Sequence, residues 1–463
     1  MVAIDLARPA GFGAFTNWAG RLNAVFVIAL VLIGLGCGQT CDSPKTETNP
    51  AAPSIEFRSA STVEETWRQH KALPDPAETI WWDVNGPDML WNNKNLHQIV
   101  PTVNVYRDGP VRELAYQPMA EIAEFKIETP DGKMPFQDFL ASEHSSTMSM
   151  VIVHQGAIVF ELYPRMQPHE KPIWWSVTKA FVSTVLAILE DRGLVDVSLP
   201  IDHYIPELAG SDFEGVRILD ILDMASGVDC PDGDYSDKRS CYLQFQAALG
   251  DSVRFEDSPD SPYDYLANLE VGHWAEPGTG FDYSGTNTFL IGWLVEVLTG
   301  MPFQDALSKE IWTRIGAESD ASIYAARNGI PLMDGGLLAR PRDVARFGLL
   351  FTPSWGVVAD QPIISERYLN ILTDGGRPEI LRNNRGGWPV PEDIKWNVYQ
   401  WDQVYTNSDI YKGGWAGQGL LINPDRDLVA VWTGYDAGVE GVRNAFGPVR
   451  EVFEGVFGEG SGS

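Results

Sequence analysis

Basic side chains are scarce in this chain. Its 463 residues hold 34 Lys and Arg against 63 Asp and Glu, a formal charge of −29. A surface that acidic repels phosphate backbones and anionic lipid headgroups. Nucleic acid is therefore excluded as a partner, and any membrane contact runs through the N-terminal segment or a lipid on it. Cysteine is scarcer still, at four residues, and no spacing among them suits zinc. There is no H-E-x-x-H, no P-loop, no G-x-S-x-G elbow and no internal repeat. Zincin, P-loop and α/β-hydrolase chemistry thus lack their signatures, and neither metal nor cofactor is expected. The apolar run 22–36, LNAVFVIALVLIGLG, falls short of the ~20 residues that span a bilayer.

That run follows Arg8 and Arg21 and fits the apolar region of a secretory signal. Cys37 comes next, in GLGC, a setting that resembles a bacterial lipoprotein signal. Lipidation of Cys37, an uncleaved anchor and ordinary cleavage all export the rest of the chain to the periplasm or the envelope surface. In such an oxidising compartment Cys230 and Cys241, which flank the polar stretch PDGDYSDKRS, read as a disulfide.

The order of segments follows from composition and pattern. Residues 1–41 are targeting-like, 42–56 are a Pro-rich polar linker and 458–463 a tail. Residues 57–146 have weak periodicity and read as an irregular extension with one short helix near PFQDFLASE. From 147 to 457 the pattern sharpens. Residues 149–163 and 419–434 are each two β-rich runs about a turn. Between them, roughly 194–350 form a helical lobe, with an apolar helix at 289–300 and another helix at 340–351. The terminal strands fit one antiparallel sheet covered by helices, beside a mainly helical second unit.

The chemistry sits in IWWSVTKAFVSTVLAILEDRG, residues 173–193. Ser176 and Lys179 are three apart and share a helix face. The helix N-terminus favours negative charge at the serine, and a desolvated lysine can act as a general base. Together they permit Ser-Lys nucleophilic catalysis. The alternative is a capping serine and a lysine reaching water. No other S-x-x-K occurs in the chain, and Trp174 and Trp175 would shield the pair.

With these residues in view, the chain resembles the penicillin-recognising, β-lactamase-related serine hydrolases. The resemblance rests on SVTKAFVSTVLAILEDRG, ILDILDMASGVD (218–229), FDYSGTNTFLIGWLVEVLTG (281–300), GGLLARPRDVARFGLLF (335–351) and GGWAGQGLLINPDRDLVAVW (413–432), in that order. Within the group it is most similar to the branch of 6-aminohexanoate-dimer hydrolases and related esterases. It implies a β-lactamase/transpeptidase-like α/β fold with the site between sheet and helical lobe. It makes Ser176 the nucleophile, Lys179 its base and Tyr283 a proton-transfer group. The oxyanion hole would be the main-chain N–H groups of Ser176 and Trp415. Trp175, Gly285, Ala416 and Gly417 would border the substrate pocket; the abundant tryptophans, among them Trp174, Trp175, Trp274 and Trp415, suit either an apolar acyl pocket or packing in the core.

Two departures bear on substrate. Gly285 replaces the Asn of Tyr-x-Asn, and the positions aligned with the strand cation read Trp415, Ala416, Gly417, with Lys412 ahead of them. On that alignment nothing holds a carboxylate. The expectation is a small-molecule ester, or a linear amide, cleaved through an acyl-serine. The alternatives are D,D-peptidase or β-lactamase activity, or a tethered binding protein without turnover.

Overall fold

The computed structural model describes residues 58, 62–65, 68 and 81–458, apart from 234. The targeting-like segment, with Arg8, Arg21, Cys37 and Cys41, lies outside the described residues.

Strands β1 (Ala115–Tyr116), β2 (Thr147–His154), β3 (Ala157–Leu162), β4 (Ile394–Val398), β5 (Trp401–Tyr405), β6 (Ile410–Gly414), β7 (Gln418–Asn423) and β8 (Leu428–Gly434) form one sheet. Among the described residues its order is β1-β3-β2-β8-β7-β6-β5-β4. Every pair is antiparallel except β1 with β3, so the expected antiparallel sheet is in fact mixed at one edge. The hairpin at 149–163 turns at Gln155 and Gly156, both at positive φ, as a two-residue turn between twisted strands requires.

The strands read as continuous apolar runs because both sheet faces are covered. On β2, Val151 and Val153 enter one core cluster while Met150 and Ile152 enter the other. On β8, Val429 and Val431 separate from Ala430 and Trp432 in the same way. This is the period of two that a pleated strand imposes.

Four helices lie at the site, α1 (Gly86–Ile99), α2 (Thr178–Asp191), α3 (Cys241–Leu249) and α4 (Gly285–Thr299), and two cover the sheet faces, α5 (Pro341–Leu349) and α6 (Phe446–Phe457). Helix α2 is buried from Thr178 to Leu189 and stops before Gly193, at φ +71°. Its apolar residues all enter the main core cluster, and its buried polar side chains Ser183 and Thr184 bond back to Ala180 O.

Two expectations change. The segment read as an irregular extension holds the 14-residue α1, strand β1 and the strand Thr102–Val105, which pairs with Ala321–Tyr324. Its apolar periodicity is weak because α1 buries Asn92 and Asn93 beside Met89 and Leu96. Helix α5 was assigned by sequence to the helical lobe but packs on the sheet, with Gly348 against Val429. Its Arg342 and Arg346 are buried and paired with Glu161, Asp343 and Glu318 rather than solvated.

Cys230 and Cys241 form the expected disulfide, with Cα atoms 5.3 Å apart. It joins the loop after 230 to the start of α3. Replacing both cysteines by serine should cost about 2–3 kcal/mol, the loop-closure term for so short a ring. Urea unfolding of the two proteins side by side measures it. An unchanged midpoint and slope would mean that the loop is held by its other contacts alone.

Candidate active site

Ser176 lies in the turn Trp175–Val177, which runs directly into α2. Trp175 sits at φ +46°, a left-handed conformation that a bulky residue adopts only under constraint. The constraint is visible. The Trp174 N–H donates to Leu337 O (2.8 Å) and its indole to Ala339 O (2.9 Å). The Trp175 indole donates to Asn93 Oδ1 on α1 (3.3 Å) and stacks on Trp81, centroids 5.7 Å apart.

One turn later Lys179 is buried, at 1% exposure. Its Nζ donates to Ser176 Oγ (3.1 Å) and to the main-chain oxygen of Asp334 (2.6 Å). The snorkelling alternative is thereby excluded. Tyr283 stands just ahead of α4. Two lysine side chains approach its ring, Lys179 Nζ 5.1 Å and Lys412 Nζ 4.8 Å from the centroid. Lys412 Nζ donates to the Tyr283 hydroxyl at 3.0 Å and pairs with the Asp402 carboxylate. Burial, and next the Asp402 charge, push the Tyr283 phenol well above the usual tyrosine range. Tyr283 is therefore a phenol, able to act as a proton donor.

Lys412 corrects the sequence alignment. Strand β6 ends at Gly414, and Trp415–Gly417 is a separate turn with Ala416 at φ +60°. The strand residues facing the nucleophile are therefore Lys412, Gly413 and Gly414, three earlier than the positions first matched. A side chain at Gly414 would meet Trp174 O at 2.6 Å, so only glycine lets this strand end lie against the nucleophile turn. Trp415 follows at once, which sets its main chain at the edge of the site. A cation is thus present, but it is fully buried and already committed to Asp402 and Tyr283. Burial lowers it to about 8 against the opposing pull of Asp402.

These groups border a cavity of about 380 Å³ lined by Ser176, Lys179, Tyr283, Trp175 and Trp415, and by residues that sequence reasoning missed. The additional residues are Trp82, Tyr235, Tyr242, Gln246 and four carboxylates, Asp232, Asp251, Asp334 and Asp402. Burial raises Asp232 to about 7, opposed by the Lys179 charge, and raises Asp251 to about 7 against hydrogen bonds from Tyr324 and Trp81. The Asp334 carboxylate accepts from Gln246 Nε2 (3.3 Å) and the Tyr242 hydroxyl (3.4 Å). Gly285 does not line the cavity. Its N–H donates to Asp232 Oδ1 (2.7 Å), and a Cβ there would meet Asp334 Oδ2 at 2.1 Å. Ala416 and Gly417 border a separate surface depression with Tyr435 and Val439 rather than this cavity. Trp174 and Trp274 also stand outside it. One signal for Lys412 was available in the sequence, since Lys-Gly-Gly precedes the turn; the carboxylates left none.

A serine hydroxyl bonded to a buried lysine, with a phenol alongside, is one arrangement able to support nucleophilic acyl transfer. The chain matches the Beta-lactamase family over residues 135–438. It belongs to that family. Among its curated relatives, 6-aminohexanoate-dimer hydrolase of Paenarthrobacter ureafaciens is 27% identical over 78% of this chain and 88% of its own length. A solved structure of a candidate 6-aminohexanoate-dimer hydrolase from Bacillus anthracis superposes with TM-score 0.67 at 23% identity, covering 81% of this chain and 94% of that one. The hydrolase EstCE1, with promiscuous acyltransferase activity, shares the fold at TM-score 0.52 and 13% identity, over 70% of this chain and 96% of its own. This member of the beta-lactamase family thus has the fold of amide and ester hydrolases, with a cation on β6 that is internally neutralised.

Proposed function

We propose that this chain is an exported serine hydrolase that cleaves carboxylic esters and linear amides through an acyl-Ser176 intermediate. The observation that carries the reading is the 3.1 Å hydrogen bond between Lys179 Nζ and Ser176 Oγ in a buried setting. Lys179, as the free amine, takes the Ser176 proton while Oγ attacks the carbonyl carbon. The oxyanion is held by the N–H groups of Ser176 and Trp415. As the tetrahedral species collapses, Tyr283 gives its phenol proton to the leaving oxygen or nitrogen. It regains a proton from the lysine ammonium groups beside it. Water then repeats the sequence on the acyl-enzyme, releasing the acid and restoring Ser176.

The cavity favours some substrates over others. Four aspartate side chains line it, and the one basic group among its described lining residues, Lys179, is engaged by Ser176 and Asp334 O, so a substrate carboxylate would be desolvated with no uncommitted cation to pair it. The argument against β-lactams and D-alanyl peptides therefore holds for a different reason from the one read in the sequence. Among the described residues, Gln246 Oε1 is a buried acceptor without a donor, beside the Asp334 carboxylate. An N–H or ammonium on the bound group would satisfy it. The likeness to 6-aminohexanoate-dimer hydrolase supports the same feature, an amine on the acyl half of a linear amide. Export rests on the N-terminal pattern around Cys37 and the disulfide.

A screen of the purified protein tests this. p-Nitrophenyl acetate, p-nitrophenyl butyrate and 6-aminohexanoyl-p-nitroanilide should be turned over, the esters with a burst. Nitrocefin should be poorer by at least ~100-fold in kcat/KM, the equivalent of about 2.7 kcal/mol. Nitrocefin as the best substrate would overturn the substrate assignment. Loss of export on deleting residues 1–41 is the matching test for localisation.

A further inference from the structure

Of two tryptophans from ahead of the family match, one lines the catalytic cavity and the other stacks on its wall residue Trp175. Trp81 and Trp82 precede α1, and the match begins only at 135. Helix α1 is tied to the site. Its Asn93 donates to Gly434 O (3.1 Å), accepts the Trp175 indole and takes the Ile173 N–H on its main-chain oxygen (2.9 Å). Asn92 Nδ2 donates to Trp81 O at 2.9 Å. The two indoles are then fixed on one residue, with Trp81 Nε1 donating to Asp251 Oδ1 (2.9 Å) and Trp82 Nε1 to Asp251 O (3.1 Å).

Trp81 and Trp82 do different things. Trp81 stacks beneath Trp175 and does not line the cavity. Trp82 lines it, and its ring meets three others edge-on: Tyr235 at 5.2 Å, Trp175 at 6.3 Å and Trp415 at 6.3 Å. Those three belong to the disulfide loop, the nucleophile turn and the oxyanion turn. Trp82 thus joins all three, and it is buried at 6% exposure with its N–H satisfied. A wall of that kind has little freedom to move aside for a larger substrate.

We propose that Trp82 sets the size limit of the group this hydrolase accepts beside the scissile bond, as a rigid cavity wall supplied by the segment outside the family match. The proposal rests on the serine-hydrolase reading above. Removing the indole opens space contiguous with Ser176 while leaving Lys179, Tyr283 and Lys412 in place. Long-chain substrates then gain relative to short ones.

The test compares the parent with Trp82→Ala and Trp82→Phe on two ester series, one lengthened in the acyl chain and one in the alcohol. The ratio of kcat/KM for an eight-carbon chain to that for a two-carbon chain should rise at least ~10-fold in one series for alanine, and less for phenylalanine. The gain should appear mainly in KM. Alkyl fluorophosphonates with short and long chains repeat the comparison by labelling rate. A merely structural tryptophan would lower all rates in parallel, and parallel profiles in both series overturn the proposal. Should alanine not fold, phenylalanine carries the same comparison, because it keeps an apolar ring and only shortens the wall. An unlabelled parent would overturn the serine-hydrolase reading and the wall with it. A labelled parent whose variants keep its chain-length profile overturns the wall alone.

Discussion

Ser176→Ala should leave neither burst nor steady-state turnover of p-nitrophenyl acetate, a fall of about 10⁵-fold in kcat. The Oγ of Ser176 is the hydroxyl that Lys179 Nζ touches at 3.1 Å, and on the proposed mechanism it forms the acyl bond. What remains is the stabilisation of the oxyanion and the binding of substrate, which in serine hydrolases leaves some catalysis over water. The variant should fold normally, because Ser176 is partly exposed and Lys179 keeps its bond to Asp334 O. Intact-mass spectrometry of the quenched burst provides the second readout. The parent gains one acyl mass and the variant none. A variant that still shows the acyl adduct would place the nucleophile elsewhere.

Lys179→Arg should lower kcat/KM by about 10³-fold or more. An arginine keeps its proton at any working pH, so it cannot accept one from Ser176. The loss of general-base assistance alone is worth roughly 10²–10⁴-fold. Geometry adds to this. Lys179 is buried between Ser176 Oγ and Asp334 O, and a planar guanidinium fork has no room to reproduce both contacts. Some loss of stability is expected, so the melting temperature is measured with the rate. Lys179→Met, which keeps the stem and removes the amine, separates packing from chemistry. An arginine enzyme within tenfold of the parent would transfer the role of base to another group, with Lys412 the next candidate.

The neutralised cation on β6 connects these results to substrate choice. Asp402 and Lys412 face each other one step beyond the cross-strand pair Gln403 and Tyr411. A lysine with no such partner would present its charge to the substrate. Here the charge is spent on Asp402 and on the Tyr283 hydroxyl, and the cavity is left acidic. Burial, and next the Asp402 charge, keep the phenol proton on Tyr283.

What the sequence by itself determined is short in range. Ser176 and Lys179 share a face because a helix returns to the same side every three to four residues. The strands announced themselves as β-rich runs about turns, the disulfide as a cysteine pair around a polar loop, and the family as an order of landmarks from 173 to 432. Tyr283 and Trp415 followed from that order, not from any local pattern. Only the tertiary structure decided the rest. Asp232, Asp251 and Asp334 come from separate loops, with no spacing that marks them as neighbours. Lys412 was placed out of register because the end of a strand depends on where its partner stops pairing, here at Gly414 opposite Gln418. Trp81 and Trp82 looked like part of an irregular segment because contacts with residues 175, 251 and 415 leave no period in a sequence. A period records which face of an element is buried, and a site drawn from many elements has none.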